Sequence, residues 1–404
     1  MSERKLRVVH VIDSLAGSGG AENRLVDEVI ALDERFEQVV VRLYERDFLD
    51  AKLTELGIPV LALEMRGGRA GQTWPWAVVK LRRVLRRWRP DVIHTSLFNA
   101  NLVGQLAGAT LHIPVVSTFN RTGEADLQRQ LKAVAAGWKG RVMQAVGRWA
   151  ARRGDVHYRA VGDYARATNC ASMGLGLDRS TAVPRGVQIS PSDVGSADRA
   201  AFDLPAEGPL FVNVARRVPE KAQHLLVEAF GKVRTELPTA HLAIAGESGP
   251  ADGAVTAAVV AAGLGGAVHL LGFRSDARAL VALADVFAFS SVSEGSPGVV
   301  VEALTLGAPL AAFDIPPVVE LTDGGRHGWL APVGSVDGLA QAMLDAYRAP
   351  DRAARVRDAQ RWAERYRLAT IAEQLGDLLE RRSGRTPAPA DDADGAAHAA
   401  EVVR

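Results

Sequence analysis

Short apolar runs rich in Val, Ile and Leu alternate along the chain with longer stretches whose apolar residues recur every three or four positions. Runs of the first kind fall at residues 6–13, 38–43, 60–63, 92–95, 115–118 and 156–161, and a second series follows at 210–215, 241–245, 268–271, 285–289 and 308–313. The runs predict strands and the intervening stretches predict helices. Regular alternation of the two predicts parallel sheets covered on both faces, because a parallel neighbour can be reached only by a crossover. Between the series, residues 188–208 are rich in Ser, Pro, Asp and Ala and are expected to be a linker. The expected fold class is α/β, with two Rossmann-like doubly wound domains at 1–187 and 209–350. Residues 351–382 predict a charged helical segment. Residues 383–404, rich in Ala, Pro and Asp, predict a disordered tail.

At 404 residues the chain is too long for one ordinary core, which agrees with two domains. Cys170 is the single cysteine, so no intramolecular disulfide can form and a cytoplasmic location is expected. Nowhere do 18 apolar residues run together, and no signal-peptide core follows the charged start. A net charge of +1 hides an asymmetry: residues 1–185 carry +9 and the remainder −8. The basic half suits an anionic acceptor or membrane surface. Its cations concentrate in the predicted helices 78–88 and 128–153, and five tryptophans lie between Trp74 and Trp149. Such helices can lie peripherally on an anionic membrane, although a packed helix with a solvated basic face has the same pattern. No nucleic-acid partner is expected.

Three stretches carry candidate chemistry. The first runs from Ser293 through Glu294, Ser296, Pro297, Gly298, Val299 and Glu302 to Ala303, between a predicted strand and helix. Pro297 stands where a helix would begin and Gly307 where it would end. A helix N-terminus at the carboxyl edge of a parallel sheet is a ready anion site. In the second, a strand end is followed by Arg216, Pro219 and Lys221, aiming two cations at one such site. The third is a loop over 14–20 that ends in Gly19 and Gly20 and leads into a helix. Glu22 stands where the dinucleotide fingerprint would need its third glycine, so that motif is incomplete. No metal cluster is apparent, and the one Asp-x-Asp, Asp392 to Asp394, lies in the tail.

Taken together, these residues resemble the retaining, metal-independent glycosyltransferases of family GT4. The Glu-x7-Glu spacing of Glu294 and Glu302, with Gly295, Pro297 and Ala303, matches that family's motif, and so does Gly19-Gly20-Ala21-Glu22. The resemblance covers about residues 6 to 348. It implies the GT-B fold, in which two Rossmann-like domains face a central cleft and a C-terminal helix crosses back to brace the first. It further implies a nucleotide-diphosphate-sugar donor, a glycan or lipid-linked hydroxyl acceptor, and no cofactor. Arg216 and Lys221 would hold the donor diphosphate, approached from Gly19 and Gly20. Glu294 would contact the donor sugar and Glu302 the ribose. Gly246 and the pair Phe273 and Arg274 would seat the base, and Ser296, Pro297, Gly298 and Val299 would frame the diphosphate. His94 would contact acceptor or donor sugar. Asn120 stands where many members have the His that contacts the donor sugar, Ala215 replaces a glycine, and Arg185 replaces the Asn of the interdomain segment. A nucleotide-sugar epimerase of the same fold, or a non-catalytic nucleotide-sugar-binding partner, would share the donor residues.

Overall fold

The computed structural model describes residues 4–16, 20–32, 34–44, 48–65, 74–119, 149, 154–195 and 198–384. The chain divides into two compact units, Met1–Gly186 with Leu368–Arg404, and Val187–Arg367.

In the first unit the apolar runs form β1 (Leu6–Ile12), β2 (Phe36–Tyr44), β3 (Val60–Met65), β4 (Val92–Ser96), β5 (Val115–Phe119) and β6 (Val156–Ala160), and a short strand that the sequence pattern does not show, β7 (Ser180–Ala182), joins them. Among the described residues they make one parallel sheet in the order β3-β2-β1-β4-β5-β6-β7. The chain begins in the middle and winds outward first one way and then the other, so the order reverses between β1 and β4. Helices α1 (Gly20–Ala31), α2 (Asp50–Thr54), α3 (Trp74–Trp88), α4 (Phe98–Leu111) and α5 (Asp163–Met173) connect the strands. Alternation along β1 decides what each face meets. Val9 and Val11 pack with Leu81 and Leu85 of α3 and with Val103 and Ala107 of α4. Leu6 and Val8 turn the other way, toward Ile371, Leu375, Leu378 and Leu379. Those four belong to the last described helix of the chain and recur at the spacing of one helical face.

The second unit has β8 (Leu210–Val214), β9 (His241–Ala245), β10 (Val268–Gly272), β11 (Val286–Phe289), β12 (Leu310–Phe313) and β13 (Trp329–Ala331), in the parallel order β10-β9-β8-β11-β12-β13. Here the reversal falls between β8 and β11. Following a short helix α6 (Pro191–Val194), the helices are α7 (Gln223–Glu236), α8 (Asp252–Ala261), α9 (Ala277–Ala282), α10 (Gly298–Leu306), α11 (Pro316–Leu321), α12 (Val336–Arg348) and α13 (Arg352–Ala363). Two cores lie on opposite faces of this sheet, one around Phe211, Phe230 and Phe313 and the other around Phe287 and Phe289. No helix among the described residues is long and apolar enough to cross a membrane.

Two expectations change. Residues 188–208 are part of the second unit. They carry α6 and a 3-10 turn at Arg199–Phe202, bury Phe202 and Leu204 in its core, and are fastened by Arg199 to Asp285 at 3.2 Å. Small and polar composition concealed two apolar anchors. The segment 351–382 does not act as one brace either. Helix α13 belongs to the second unit, where Trp362 donates to the Leu321 carbonyl and Arg355 to the Gly325, Arg326 and Gly328 carbonyls. Only α14 (Leu368–Arg382) belongs to the first, against β1 and α1. The expected tail lies outside the described residues from 385 onward.

One interaction in the first unit is both buried and ionic. Arg159 on β6 forms a two-pronged pair with Glu28 on α1, at 2.6 and 2.7 Å, and donates to the Val183 and Pro184 carbonyls at 3.0 and 2.7 Å. Both side chains are less than 5% exposed, at 2% and 4%. Removing one member strands the other charge without water. Arg159→Met is therefore expected to cost the first unit about 3–5 kcal/mol, whereas adding Glu28→Leu should recover much of it. An unchanged first thermal transition in Arg159→Met would contradict this.

Candidate active site

The carboxyl ends of β8 and β11 adjoin where the strand order reverses, so their loops leave in opposite directions and open a crevice. The loop after β8 holds Arg216, Arg217 and Lys221, and the loop after β11 holds Glu294. Lys221 ends a 3-10 turn at Pro219–Lys221. Ala222, at φ 45°, then turns the chain sharply into α7. Lys221 therefore precedes the helix, with Ala222 at the cap position between them. Its backbone is fixed from the neighbouring loop: Ser290 Oγ donates to the Lys221 carbonyl at 2.8 Å and Val292 N–H to the Glu220 carbonyl at 2.9 Å. Beneath it, fully buried Gln223 donates to Asn213 Oδ1 and to the Ala215 carbonyl, and Asn213 donates to the Ala288 carbonyl at 2.8 Å. The two loops are thus held in register by hydrogen bonds before any ligand arrives.

On this frame Lys221 Nζ pairs with Glu294 Oε1, with 19% and 15% of the side chains exposed. An ammonium carries three donors, so Lys221 can hold Glu294 and still donate to an anion. Arg216 is exposed, and its guanidinium has no hydrogen-bond or ion-pair partner among the described residues. Its neighbour Arg217 is buried and spent on structure, donating to Ser248 Oγ at 2.7 Å and pairing with Asp252.

Gly246 follows β9 with φ 148°. A Cβ there would lie 2.0 Å from the Ala215 carbonyl oxygen, so the loop after β9 can approach the loop after β8 this closely only with glycine. Phe273, after β10, is 69% exposed. Arg274 is clamped by Asp276 at 2.6 and 2.8 Å and lies over the Phe202 ring at 4.7 Å. Helix α10 begins at Gly298, with Pro297 at the cap position one residue before it and Gly307 closing it at φ 78°. Ser296, Gly298 and Val299 are half-buried around that N-terminus. Only the last part of the Glu294–Glu302 interval is helical. Glu302 pairs with Arg278 of α9 at 3.1 Å, and Arg278 pairs with Asp193 of α6 at 3.0 Å. Nothing in the local sequence marks Arg278, which lies 24 residues from Glu302. Only the packing of α9 beside α10 brings them together.

The first unit has its own reversal point, at β1 and β4. His94 lies there but is 1% exposed. Its Nδ1 is 3.0 Å from His10 Nδ1, its Nε2 is 3.0 Å from Thr118 Oγ1, and His10 Nε2 is 3.1 Å from Gln38 Oε1. Gln38 donates its amide to the Val29 carbonyl, so Oε1 accepts and His10 Nε2 carries a proton. His10 Nδ1 then accepts from His94 Nδ1, and Thr118 donates to His94 Nε2. The whole chain is satisfied with both rings neutral. Burial pushes the His10 pKa down to about 4 and that of His94 well below the usual imidazole range. In this structure His94 therefore has no surface to offer a ligand. At the same edge Asp13 accepts from Ala100 N–H at 2.7 Å and Asn99 Nδ2 at 2.9 Å, capping α4, and burial raises its carboxyl to about 6. Gly20 starts α1, and Ser14 donates to Glu22. Gly19 and Asn120 lie outside the described residues, as does the helix expected at 128–153 apart from exposed Trp149.

Known proteins share this architecture. The model described as "Glycosyltransferase Family 4" matches residues 18–190, and that described as "Glycosyl transferases group 1" matches residues 208–349. The chain is 22% identical to Anabaena Alr3699/HepE, solved in complex with UDP and glucose, with a TM-score of 0.77 over 93% of this chain and 99% of that one. It is 27% identical over 370 residues to the 2-deoxystreptamine N-acetyl-D-glucosaminyltransferase of Streptomyces fradiae, covering 85% of this chain and 80% of that protein. It is 29% identical over 150 residues to the lipopolysaccharide core biosynthesis glycosyltransferase LpsE of Rhizobium meliloti, covering 37% of this chain and 43% of that protein. Two Rossmann-like units, each matched by its own glycosyltransferase model, define a glycosyltransferase of the GT-B fold. Within that class, the model described as "Glycosyltransferase Family 4" is the one that the first unit resembles.

Because His10 and His94 are held neutral in the folded state, the unfolded chain binds more protons once pH falls below about 6.5. Their contribution is complete above that value and is lost as pH falls through 6.5 toward 4, with Asp13 acting in the opposite sense over part of the range. Thermal stability is expected to drop over this window, and His10→Asn with His94→Asn should make the drop shallower. Equal pH slopes in the two proteins would refute the assignment.

Proposed function

We propose that the protein transfers a sugar from a nucleoside-diphosphate donor to a hydroxyl acceptor with retention of anomeric configuration and without a metal. The observation that carries this reading is the paired Lys221 and Glu294 at the β8–β11 reversal, with exposed Arg216 beside them. When the anomeric bond breaks, negative charge grows on the leaving diphosphate. Arg216, Lys221 and the N–H groups at the start of α10 are donors already in place to meet it, and donors that need not reorganise are the most effective. Glu294 accepts from hydroxyls of the donor sugar. Its pairing with a lysine suits positioning rather than nucleophilic attack. Glu302 accepts from the ribose hydroxyls, Gly246, Phe273 and Arg274 border the base, and Ser296, Pro297, Gly298 and Val299 frame the diphosphate. The acceptor hydroxyl attacks the donor face from which the diphosphate departs and passes its proton to a diphosphate oxygen. UDP-sugars are the first donors to try, since the solved relative was captured with UDP and glucose.

Helix α3 supports a lipid-linked acceptor at an anionic membrane surface. It packs through Ala77, Leu81 and Leu85, and its outer face exposes Trp76 at 67% and Val79 together with Arg83, Arg86 and Arg87. Aromatic and basic residues on one exposed face suit the lipid headgroup region, each cation there contributing about 1 kcal/mol.

With a panel of nucleotide sugars, mass spectrometry should detect the freed nucleoside diphosphate for the true donor. Arg216→Ala and Lys221→Ala should each slow its release roughly 10²-fold, by the magnitude seen when a transition-state donor is removed. EDTA should leave the rate unchanged. Loss of turnover in EDTA with recovery on adding Mg²⁺ or Mn²⁺ would overturn the metal-free reading.

In co-sedimentation, anionic vesicles should retain the protein at low salt and release it as salt rises. Arg83→Glu with Arg86→Glu should weaken retention. Equal binding to neutral and anionic vesicles would remove the membrane reading without touching the transfer chemistry.

A further inference from the structure

We infer that Arg278 is a positioning residue for the nucleotide's ribose, holding Glu302 through a relay that begins at the backbone of Ser190. This rests on the reading of Glu302 as the ribose ligand. The relay has four members in three separate parts of the second unit. Ser190 N–H donates to Asp193 Oδ2 at 2.7 Å, Arg278 Nη1 donates to the same oxygen at 3.0 Å, and Arg278 Nη2 donates to Glu302 Oε1 at 3.1 Å. All three side chains are partly sheltered, at 33%, 28% and 15% exposure for Asp193, Arg278 and Glu302.

Three physical points assign a function to the relay beyond packing. Carboxylate oxygens each offer two lone pairs, so Oε1 can accept from Arg278 and still accept from a ribose hydroxyl. The planar guanidinium fixes the rotation of the carboxyl group as well as its position, and two vicinal hydroxyls require both. Finally, a donor diphosphate brings negative charge into the unit that already holds Glu294 and Glu302. Arg278 lies against Glu302 and offsets that repulsion without occupying the diphosphate site. Asp193 sits in the stretch whose composition suggested a linker, so this segment takes part in ribose recognition.

The test is titration calorimetry with whichever of UDP, GDP and ADP binds the unaltered protein, and with its 2′,3′-dideoxy counterpart. Arg278→Ala should weaken ribonucleotide binding about tenfold, the scale of one misaligned charged hydrogen bond. It should leave the dideoxy analogue nearly unchanged, so the preference for ribose collapses. Arg278→Lys, which lacks the fork that spans both carboxylates, should lose part of the preference, and Asp193→Asn a smaller part. A purely structural arginine would change thermal stability while leaving the ribose preference intact. If Glu302→Ala loses the preference and both Arg278 variants keep it, the relay is wrong and the ribose role of Glu302 stands. If Glu302→Ala keeps the preference, the ribose role falls, and the inference with it.

Discussion

The reversal of strand order in each parallel sheet is the constraint from which the rest follows. A strand that starts in the middle of a sheet can be followed by right-handed crossovers only if the chain builds one side and then returns to build the other. The two central strands then send their loops apart, and no connection covers the gap between them. In the second unit that gap lies between β8 and β11. The residues with the strongest chemical character converge on its rim: Lys221 from one loop, Glu294 from the other, and the N-terminus of α10 beside them. The first unit obeys the same geometry but fills its reversal point differently. There a capping aspartate and two neutral histidines close the sheet edge from within.

How much of this was legible in the sequence depended on the range of the interaction concerned. Eleven of the thirteen described strands, their alternation with helices, and the glutamate pair with its Pro297 and Gly307 boundaries are local patterns that can be read directly, whereas β7 and β13, three residues each, are too short to show the pattern. Phe202 and Leu204 could have been noticed as apolar residues two apart in a polar stretch, yet composition outweighed them. The break between α13 and α14 falls where buried Tyr366 precedes Arg367, a change of packing partner that periodicity does not announce. Arg159 with Glu28, and Arg278 with Asp193 and Glu302, are separated by 131, 85 and 24 residues. No window along the chain contains either group. His94 is a different case: the family resemblance implied a ligand contact, and in this structure its ring is buried between His10 and Thr118.

The second unit also shows how a candidate site can be charged and still folded. Each of its two candidate carboxylates already has a cation in place, Lys221 for Glu294 and Arg278 for Glu302. Neither has to be desolvated alone, so the cost of sheltering a charge from water is met within the fold. Arg216 has been left exposed, and among the described residues no carboxylate pairs with its guanidinium.

Val187 and Arg367, the first and last residues of the second unit, are bridged to each other in parallel, and Val187 N–H donates to the Tyr366 carbonyl at 2.8 Å. In topological terms the second unit is therefore a single insertion whose entry and exit coincide, carried by a host whose sheet is completed by α14 only after the insertion has ended. Adjacent ends are what make a segment exchangeable in evolution. Replacing 187–367 as a cassette would leave the host's own chain path unbroken, so the two units could be inherited from different ancestors through two crossovers in the gene.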